Sequence, residues 1–316
     1  MITPFDLKAN VDLDVVSLLV DFYLAAGVRG FFANCLSSEM FSITEDERLT
    51  LTRHIVQKVA GRVPVVATGS FGLTIADKAE FTRRIFDTGI DAAIMITGHF
   101  AKEDETNDVL LHRYGQMFDL TGNIPLGMYE CPAPYKRIID RDIFQELLTA
   151  DRMVYHKDTS IDHARVKEKL DVLRETDSKL EFYDAHTPNA LFSLQQGAMG
   201  LSSISGNFYP EVMVWMVDHA TDPERQEDVR WLQDELTKVD PLIHIAYPLS
   251  AKYFLQKRGL PLRTISRAVA AKLTPDQRVA LDALHDRFKN WCVRLGIVEV
   301  DVAAIAGSNA MKDMEC

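Results

Sequence analysis

Residues 92–97, with the sequence AAIMIT, are a short apolar run that predicts a strand buried on both faces. Six further runs of this kind recur along the chain. Their interval of about 30 residues is the length of one strand, one helix and two loops. Buried strands that alternate with helices predict a parallel sheet. The other runs are residues 30–35, 63–69, 125–129, 153–157, 180–184 and 200–205.

The segments between these runs have the signals of amphipathic helices. Thr44–Glu47 form a capping box before an apolar pattern. Thr74 predicts a helix start and Gly89 its end, and residues 161–175 place apolar side chains on one face. Strands and helices of this number and spacing predict a (β/α)8 TIM barrel, with a doubly wound open sheet as the alternative.

The barrel is predicted to span residues 1–222, followed by a C-terminal helical region at residues 223–316. An eighth strand should precede the first helix. Only Met1–Phe5 are available for it, so this first strand is expected to be short or truncated. In the C-terminal region, Thr274-Pro275 predicts the start of a long helix and Gly296 its end.

Composition excludes several classes of protein. Hydrophobic residues make up 47% of the 316 residues, which is typical of a packed globular protein. With 35 Lys and Arg against 46 Asp and Glu, a nucleic-acid partner is not expected. No apolar run reaches the ~18 residues of a membrane span, and no signal peptide is evident. The four cysteines have no CxxC spacing and predict free thiols in the cytoplasm: Cys35, Cys131, Cys292 and Cys316.

Lys157 is the strongest candidate for chemistry, because it ends a predicted strand. In a parallel barrel the active site lies at the C-terminal ends of the strands. Burial there lowers the pKa of a lysine, and a neutral amine can attack a carbonyl to form a Schiff base. The alternative is a structural lysine that pairs with Asp158 or Asp184.

Two further strand ends carry residues suited to the same reaction. Tyr129 ends the preceding strand, and a phenol near an imine can move protons. It could instead only pack at the rim of the pocket. Ser37 and Ser38 follow the first predicted strand, where hydroxyl and N–H groups can hold a carboxylate. Their alternative role is in a capping loop before Thr44.

At these residues the chain resembles the dihydrodipicolinate synthase and N-acetylneuraminate lyase family, the class I Schiff-base barrel enzymes that use or release pyruvate. The resemblance implies that Lys157 forms the imine and Tyr129 shuttles protons. It also implies that no cofactor or metal is needed and that the chain forms a dimer or tetramer. Ile204 joins the serines as a candidate for substrate binding. The matching pieces are Thr3–Phe5, Glu39, residues 61–65, Tyr129–Pro132, Lys157–Ser160 and Gly200–Asn207.

Several positions depart from the family pattern. The Gly-Thr-Thr-Gly-Glu turn of the family is CLSSE at residues 35–39, with leucine in place of the threonine that links two relay tyrosines. Phe100 replaces the tyrosine that would reach a neighbouring subunit. Pro134 replaces the arginine that holds the carboxylate of the second substrate, and Lys136 and Arg137 are the nearby substitutes. The resemblance therefore implies a divergent member rather than an authentic dihydrodipicolinate synthase.

His99 and His186 are absent from the family pattern. They are expected to face a different second substrate, or to be rim histidines in contact with water. The sequence predicts a lyase or aldolase that acts on pyruvate or another small 2-oxo acid. A 2-oxo-3-deoxy sugar acid dehydratase using the same lysine is one alternative. A metal-dependent barrel hydrolase or class II aldolase with His99, Asp184 and His186 as ligands is another, as is a non-catalytic 2-oxo acid binding protein.

Overall fold

In the computed structural model, which describes residues 1–307, seven strands form one parallel sheet. The order of the strands in the sheet follows their order along the chain, and each strand pairs only with its sequence neighbours. A doubly wound sheet reverses its strand order at a switch point, so this alternative is excluded. The strands are β1 Phe31–Phe32, β2 Val65–Thr68, β3 Ala92–Ile96, β4 Leu126–Tyr129, β5 Met153–Asp158, β6 Glu181–Asp184 and β7 Gly200–Leu201.

Helices alternate with the strands, as the sequence predicts. Since every strand runs in the same direction, the helices return the chain along the outside of the curled sheet. The architecture is therefore a (β/α)8 barrel with a C-terminal helical part. The helices of the barrel are α1 Leu13–Ala25, α2 Glu45–Val59, α3 Ile75–Phe86, α4 Asn107–Thr121, α5 Arg141–Leu148, α6 His163–Glu175, α7 Ala190–Gln195 and α8 Pro210–His219.

The segment before α1 lies beside β1. The Met1 nitrogen donates to the Phe32 carbonyl at 2.9 Å, and Phe5 forms an isolated bridge with Val11. Residues 1–5 therefore contribute a bridge rather than a ladder to the described structure.

The predicted helix signals act as expected. Thr44 accepts the Glu47 N–H, and the Glu47 carboxylate accepts the Thr44 N–H at 2.8 Å, which satisfies two free donors at the start of α2. Thr274 caps the last long helix in the same way. Gly296 ends that helix in the left-handed conformation, with φ 68°, where a side chain would be strained.

The C-terminal part contains α9 Gln226–Ile243, α10 Leu249–Lys257 and α11 Pro275–Leu295. The predicted boundary at residue 222 stays a prediction. The apolar face predicted for α11 is buried against α9 and α10. Its residues are Leu281, Leu284, Phe288 and Trp291.

One buried carboxylate ties this C-terminal part to the barrel. Glu39 follows β1 and accepts a hydrogen bond from Lys252 Nζ of α10 at 2.7 Å. Its other oxygen accepts from the Ser266 hydroxyl and from the N–H groups of Arg267 and Ala268, at 2.7–3.0 Å. A carboxylate with this many donors fixes the turn after β1, which is where Ser37 and Ser38 lie.

Two further predictions concern the chain as a whole. Within residues 1–307, the helices are too short or too polar to cross a membrane. Cys35, Cys131 and Cys292 are buried free thiols, and Cys316 lies outside the described residues.

Candidate active site

Lys157 lies inside the barrel at the C-terminal end of β5. Alternate residues of a strand face opposite sides, so Lys157 shares the inner face with Tyr155 while Asp158 faces the helices. The side chain is only 7% exposed. Within residues 1–307, neither a hydrogen bond nor an ion pair holds its nitrogen. Burial lowers the pKa of Lys157, and only the thiols Cys35 and Cys131 oppose that shift. The amine is therefore neutral more often than an ordinary lysine, as nucleophilic attack requires.

The structural alternative for Lys157 does not match these contacts. Asp158 pairs instead with Lys169 of α6, at 2.6 Å. Asp184 is the register partner of Asp158 across β5 and β6, so it also faces away from Lys157.

Tyr129 stands beside Lys157. The two residues are partners in the parallel pairing of β4 and β5. Lys157 Nζ lies 4.8 Å from the centre of the Tyr129 ring and 5.6 Å from that of Phe32. Burial raises the pKa of Tyr129 well above its ordinary value, so the phenol keeps its proton at neutral pH. It can therefore donate a proton to a group that forms next to the lysine.

The relay partners of this tyrosine differ from the family pattern. Leu36 packs against the apolar cluster that contains Tyr129 and Cys131, and it offers no hydroxyl. The Cys131 thiol is the polar group that contacts the Tyr129 phenol. Phe100 is fully buried and stacks on Tyr114 at 4.3 Å, so it belongs to the core of its own subunit.

Ser38 has a structural role in the turn after β1. Its hydroxyl lies 2.8 Å from the Ala33 carbonyl and 2.9 Å from the Met1 carbonyl, and it accepts the Cys35 N–H at 3.1 Å. A hydroxyl with these partners has little capacity left for a ligand. The structure thus favours the capping alternative for Ser38.

Ser37 lies next to it in the same 3-10 turn, Leu36–Ser38, but in other surroundings. Its hydroxyl contacts the hydroxyl of Tyr247. Tyr247 also accepts a hydrogen bond from the Asn207 amide at 2.8 Å. Ile204 is half-buried at the start of the turn that contains Asn207. The turns after β1 and β7 therefore meet through Tyr247, which comes from the C-terminal part.

His99 is held as a neutral imidazole. Its Nδ1 lies 2.7 Å from the Ser70 carbonyl, which can only accept, so Nδ1 carries the proton. Burial lowers the pKa of His99 to about 4. The ring lies 6.1 Å from both Phe41 and Phe71. At neutral pH this histidine can accept a hydrogen bond through Nε2, but it is not a protonated acid.

The proposed metal ligands are not brought together. His186 is half-buried, and its N–H donates to Asp184 Oδ1 at 2.8 Å, while Asp184 itself faces outward. Within the described part of the chain, the ligand atoms of His99, Asp184 and His186 do not form a cluster of metal-binding size. Such a cluster occurs instead at Glu130, His156 and Asp158.

In that outer cluster the ammonium group of Lys169 occupies the position that a metal ion would take. Lys169 Nζ bonds both to Glu130 and to Asp158. His156 Nε2 lies 3.7 Å from each carboxylate, beyond hydrogen-bond distance. The cluster is therefore already neutralised in part by the protein, and it lies on the opposite side of the strands from Lys157.

The two substitutes for the missing arginine have different positions. Arg137 donates to the carbonyls of Lys102 and Glu105 and to the Asn107 side chain, so it is used by its own loop. Lys136 Nζ donates to the Thr159 carbonyl at 2.8 Å and is exposed. Lys136 is therefore the one of the two that is available to a ligand.

Sequence reasoning missed several residues of the site. Tyr155 and Tyr183 stack at 4.8 Å beside Lys157. Tyr155 precedes Lys157 by two residues on the same face of β5, and Tyr183 is the partner of Lys157 on β6, so the alternation and register of the strands would have found both. Tyr247 gave no signal, because the turn between α9 and α10 brings it to the site. Lys169 of α6 lies behind the strands, where the pattern of strand ends does not reach.

Comparisons with known proteins identify the family to which the chain is similar. The sequence model of the Dihydrodipicolinate synthetase family matches residues 1–287. The 4-hydroxy-tetrahydrodipicolinate synthase of Oceanobacillus iheyensis is 23% identical over 290 residues, covering 92% of this chain and 96% of that protein. That of Bacillus subtilis is 24% identical over 284 residues, covering 90% and 95%.

Solved structures share the fold. A prophage protein of the dihydrodipicolinic acid synthase family from E. coli K12, in complex with pyruvate, superposes with a TM-score of 0.81 at 21% identity, covering 91% of this chain and 96% of that one. Dihydrodipicolinate synthase from Bacillus anthracis gives 0.80 at 23% identity, covering 90% and 95%.

Proposed function

Because the chain belongs to the dihydrodipicolinate synthetase family and is an aldolase-like lyase, we propose that it forms an imine between Lys157 and pyruvate or another small 2-oxo acid. One observation carries the proposal: a buried strand-end amine without a carboxylate partner in residues 1–307 lies 4.8 Å from the ring of a protonated tyrosine. The substrate class is supported by relatives whose structures hold pyruvate.

The reaction begins with attack of the neutral Lys157 amine on the keto carbon. Tyr129 passes a proton to the carbinolamine oxygen, which leaves as water and gives the iminium. The iminium withdraws electrons from the adjacent carbon. The Tyr129 phenolate left by this step takes a proton from that carbon, which yields an enamine. The phenol then returns the proton to the oxygen of an aldehyde as the enamine adds to it, and the reverse sequence cleaves the carbon–carbon bond of a longer 2-oxo acid.

The carboxylate of the 2-oxo acid is proposed to lie at the turn after β1. Ser37 supplies a hydroxyl there. As the first residues of a 3-10 helix, Leu36 and Ser37 supply N–H groups that have no acceptor within their own helix. Ile204, in the turn after β7, packs against the same end of the barrel.

Trapping with borohydride tests the proposal. The protein is incubated with pyruvate and with a set of 2-oxo acids that includes a 2-oxo-3-deoxy sugar acid, then reduced, digested and analysed by mass spectrometry. We expect the adduct on Lys157 and its loss in Lys157→Ala. The matched control is Lys167→Ala, which removes an exposed lysine of α6 that pairs with Asp171. No adduct with any acid, or an adduct on another lysine, would contradict the proposal. Product analysis with the sugar acid separates dehydration from cleavage.

We also propose that the chain forms a homo-oligomer, a dimer or a tetramer, as expected from its family. Phe100 has no hydroxyl and is fully buried against Tyr114, so it does not reach a partner. Light scattering on the purified protein tests the assembly, and a monomer at micromolar concentration would contradict it. The cytoplasmic location expected from the free thiols stays a prediction.

A further inference from the structure

Two strand ends carry the reacting pair, and each continues into a buried carboxylate. Tyr129 is followed by Glu130, and Lys157 by Asp158. Since alternate residues face opposite sides, the reacting side chains point into the barrel and the carboxylates point toward the helices. Both carboxylates are fully buried.

A single lysine joins these carboxylates. Lys169 of α6 is itself buried, and its Nζ bonds to Asp158 Oδ2 at 2.6 Å and to Glu130 Oε1. Asp158 ends β5 and Glu130 directly follows β4, so the ammonium fixes the end of β5 relative to that of β4. We call Glu130, Asp158 and Lys169 the outer clamp.

The outer clamp also holds the loops that follow the strands. Glu130 accepts the Ile139 N–H and the Thr159 N–H, both at 2.9 Å. Asp158 accepts the Ser160 N–H at 2.8 Å. The loop after β4 and the loop after β5 are thus tied to the same charges, and the backbone on both sides of the reacting pair is fixed.

The clamp is costly to bury unless every charge keeps its partners. Desolvation of two carboxylates and one ammonium opposes folding, and apolar residues of similar volume would often be as stable. We propose that Lys169 is a positioning residue: through Glu130 and Asp158 it sets the placement of Tyr129 and Lys157. The proposal rests on the proposed imine chemistry but concerns residues that do not touch the substrate.

The Lys169→Met variant tests this. It removes the charge that joins the two strand ends and keeps an aliphatic side chain. Imine formation is followed by borohydride trapping. The final amount of trapped adduct gives the number of competent active sites, and the rate is divided by that number. We expect this rate to fall about 10- to 100-fold, the scale for misplacement of reacting groups by about 1 Å. The pyruvate concentration for half-maximal rate should change less than about threefold, because the turn after β1 is not part of the clamp.

Two variants control the measurement. Lys167→Met removes an exposed lysine of the same helix, which pairs with Asp171, and should leave the rate unchanged. Asp158→Asn keeps the shape and leaves Glu130 paired with Lys169, so it should fold even if Lys169→Met does not. We expect it to slow imine formation about 3- to 10-fold.

A purely structural role predicts another result: a lower melting temperature and fewer competent sites, with an unchanged rate at each site. That outcome in Lys169→Met or in Asp158→Asn overturns the proposal. A structural measurement tests the positioning role of Lys169 independently of imine formation. Crystal structures of the wild type and of Asp158→Asn should show a displaced Lys157 or Tyr129, and an unaltered 4.8 Å separation overturns the positioning role even if no imine forms.

Discussion

Tyr129 and Lys157 occupy paired positions of β4 and β5, so both side chains leave the sheet on the same face. Lys157 Nζ lies 4.8 Å from the centre of the phenol ring. Groups on neighbouring strands of one sheet are held more rigidly than groups on loops, and little reorganisation is needed before they react. The roles of the two residues can therefore be tested separately.

Replacement of Tyr129 by Phe should slow turnover on the order of 10²-fold, the usual scale for one acid–base group. The ring and its packing against Phe32 remain, while the proton donor is lost. Steady-state rates with pyruvate and an accepted aldehyde measure the effect. Tyr253→Phe is the control, since it removes a phenol hydroxyl that bonds to Asp282 in the C-terminal part. Equal rates in the wild type and Tyr129→Phe would remove the tyrosine from the mechanism.

The rate of imine formation should depend on pH through Lys157. Burial lowers the pKa of this lysine below its ordinary 10.5. The neutral amine is the nucleophile, so the rate should rise with pH to a plateau. The midpoint of this rise should lie below pH 10.5. Initial rates of borohydride trapping across the pH range measure the midpoint. A midpoint at or above that of a free lysine side chain would show that the site does not favour the neutral amine.

The barrel was predictable because its signals are local. Each buried strand is a short apolar run, and Thr44 and Thr274 are capping boxes that depend only on residues three positions apart. Lys157 and Tyr129 follow from the same pattern, since parallel strands place their C-terminal ends at one edge.

The rest of the site depends on direction and on distant contacts. The position of a residue at a strand end does not predict whether its side chain points into the barrel or toward the helices. Asp184 was therefore a candidate ligand, although it faces the helices. The burial that keeps His99 neutral comes from surrounding loops. Tyr247, in the turn between α9 and α10, and Lys169, on α6, reach their contacts through tertiary packing, which a single sequence does not encode locally.

Two adjacent serines should respond differently to the same change. Ser37→Ala should raise the pyruvate concentration for half-maximal rate about 10- to 100-fold, since a hydrogen bond to a charged group contributes about 1.5–3 kcal/mol. Ser38→Ala should mainly lower the melting temperature, because it leaves the Cys35 N–H of the turn without its acceptor. Kinetics and thermal unfolding of both variants test the contrast. The reverse pattern would assign carboxylate binding to Ser38 instead.

Asp184 should make stability depend on pH. Burial, and to a lesser extent the nearby charge of Asp158, raises its pKa from the ordinary 3.8 to about 7. The folded state thus holds a proton that the unfolded state releases near pH 3.8. The contribution of the neutral Asp184 carboxyl to the free energy of unfolding is therefore fully present below pH 3.8. It is lost as the pH rises through about 7.

Asp184→Asn keeps the shape of the side chain without titrating. The free energy of unfolding of the wild type should therefore fall relative to the variant between about pH 4 and about pH 7, by up to about 4 kcal/mol, and the difference should stay constant above that. Denaturant unfolding of both proteins at several pH values measures this difference, in which the other carboxylates cancel. A difference that does not change with pH would show that the folded protein does not raise the pKa of Asp184.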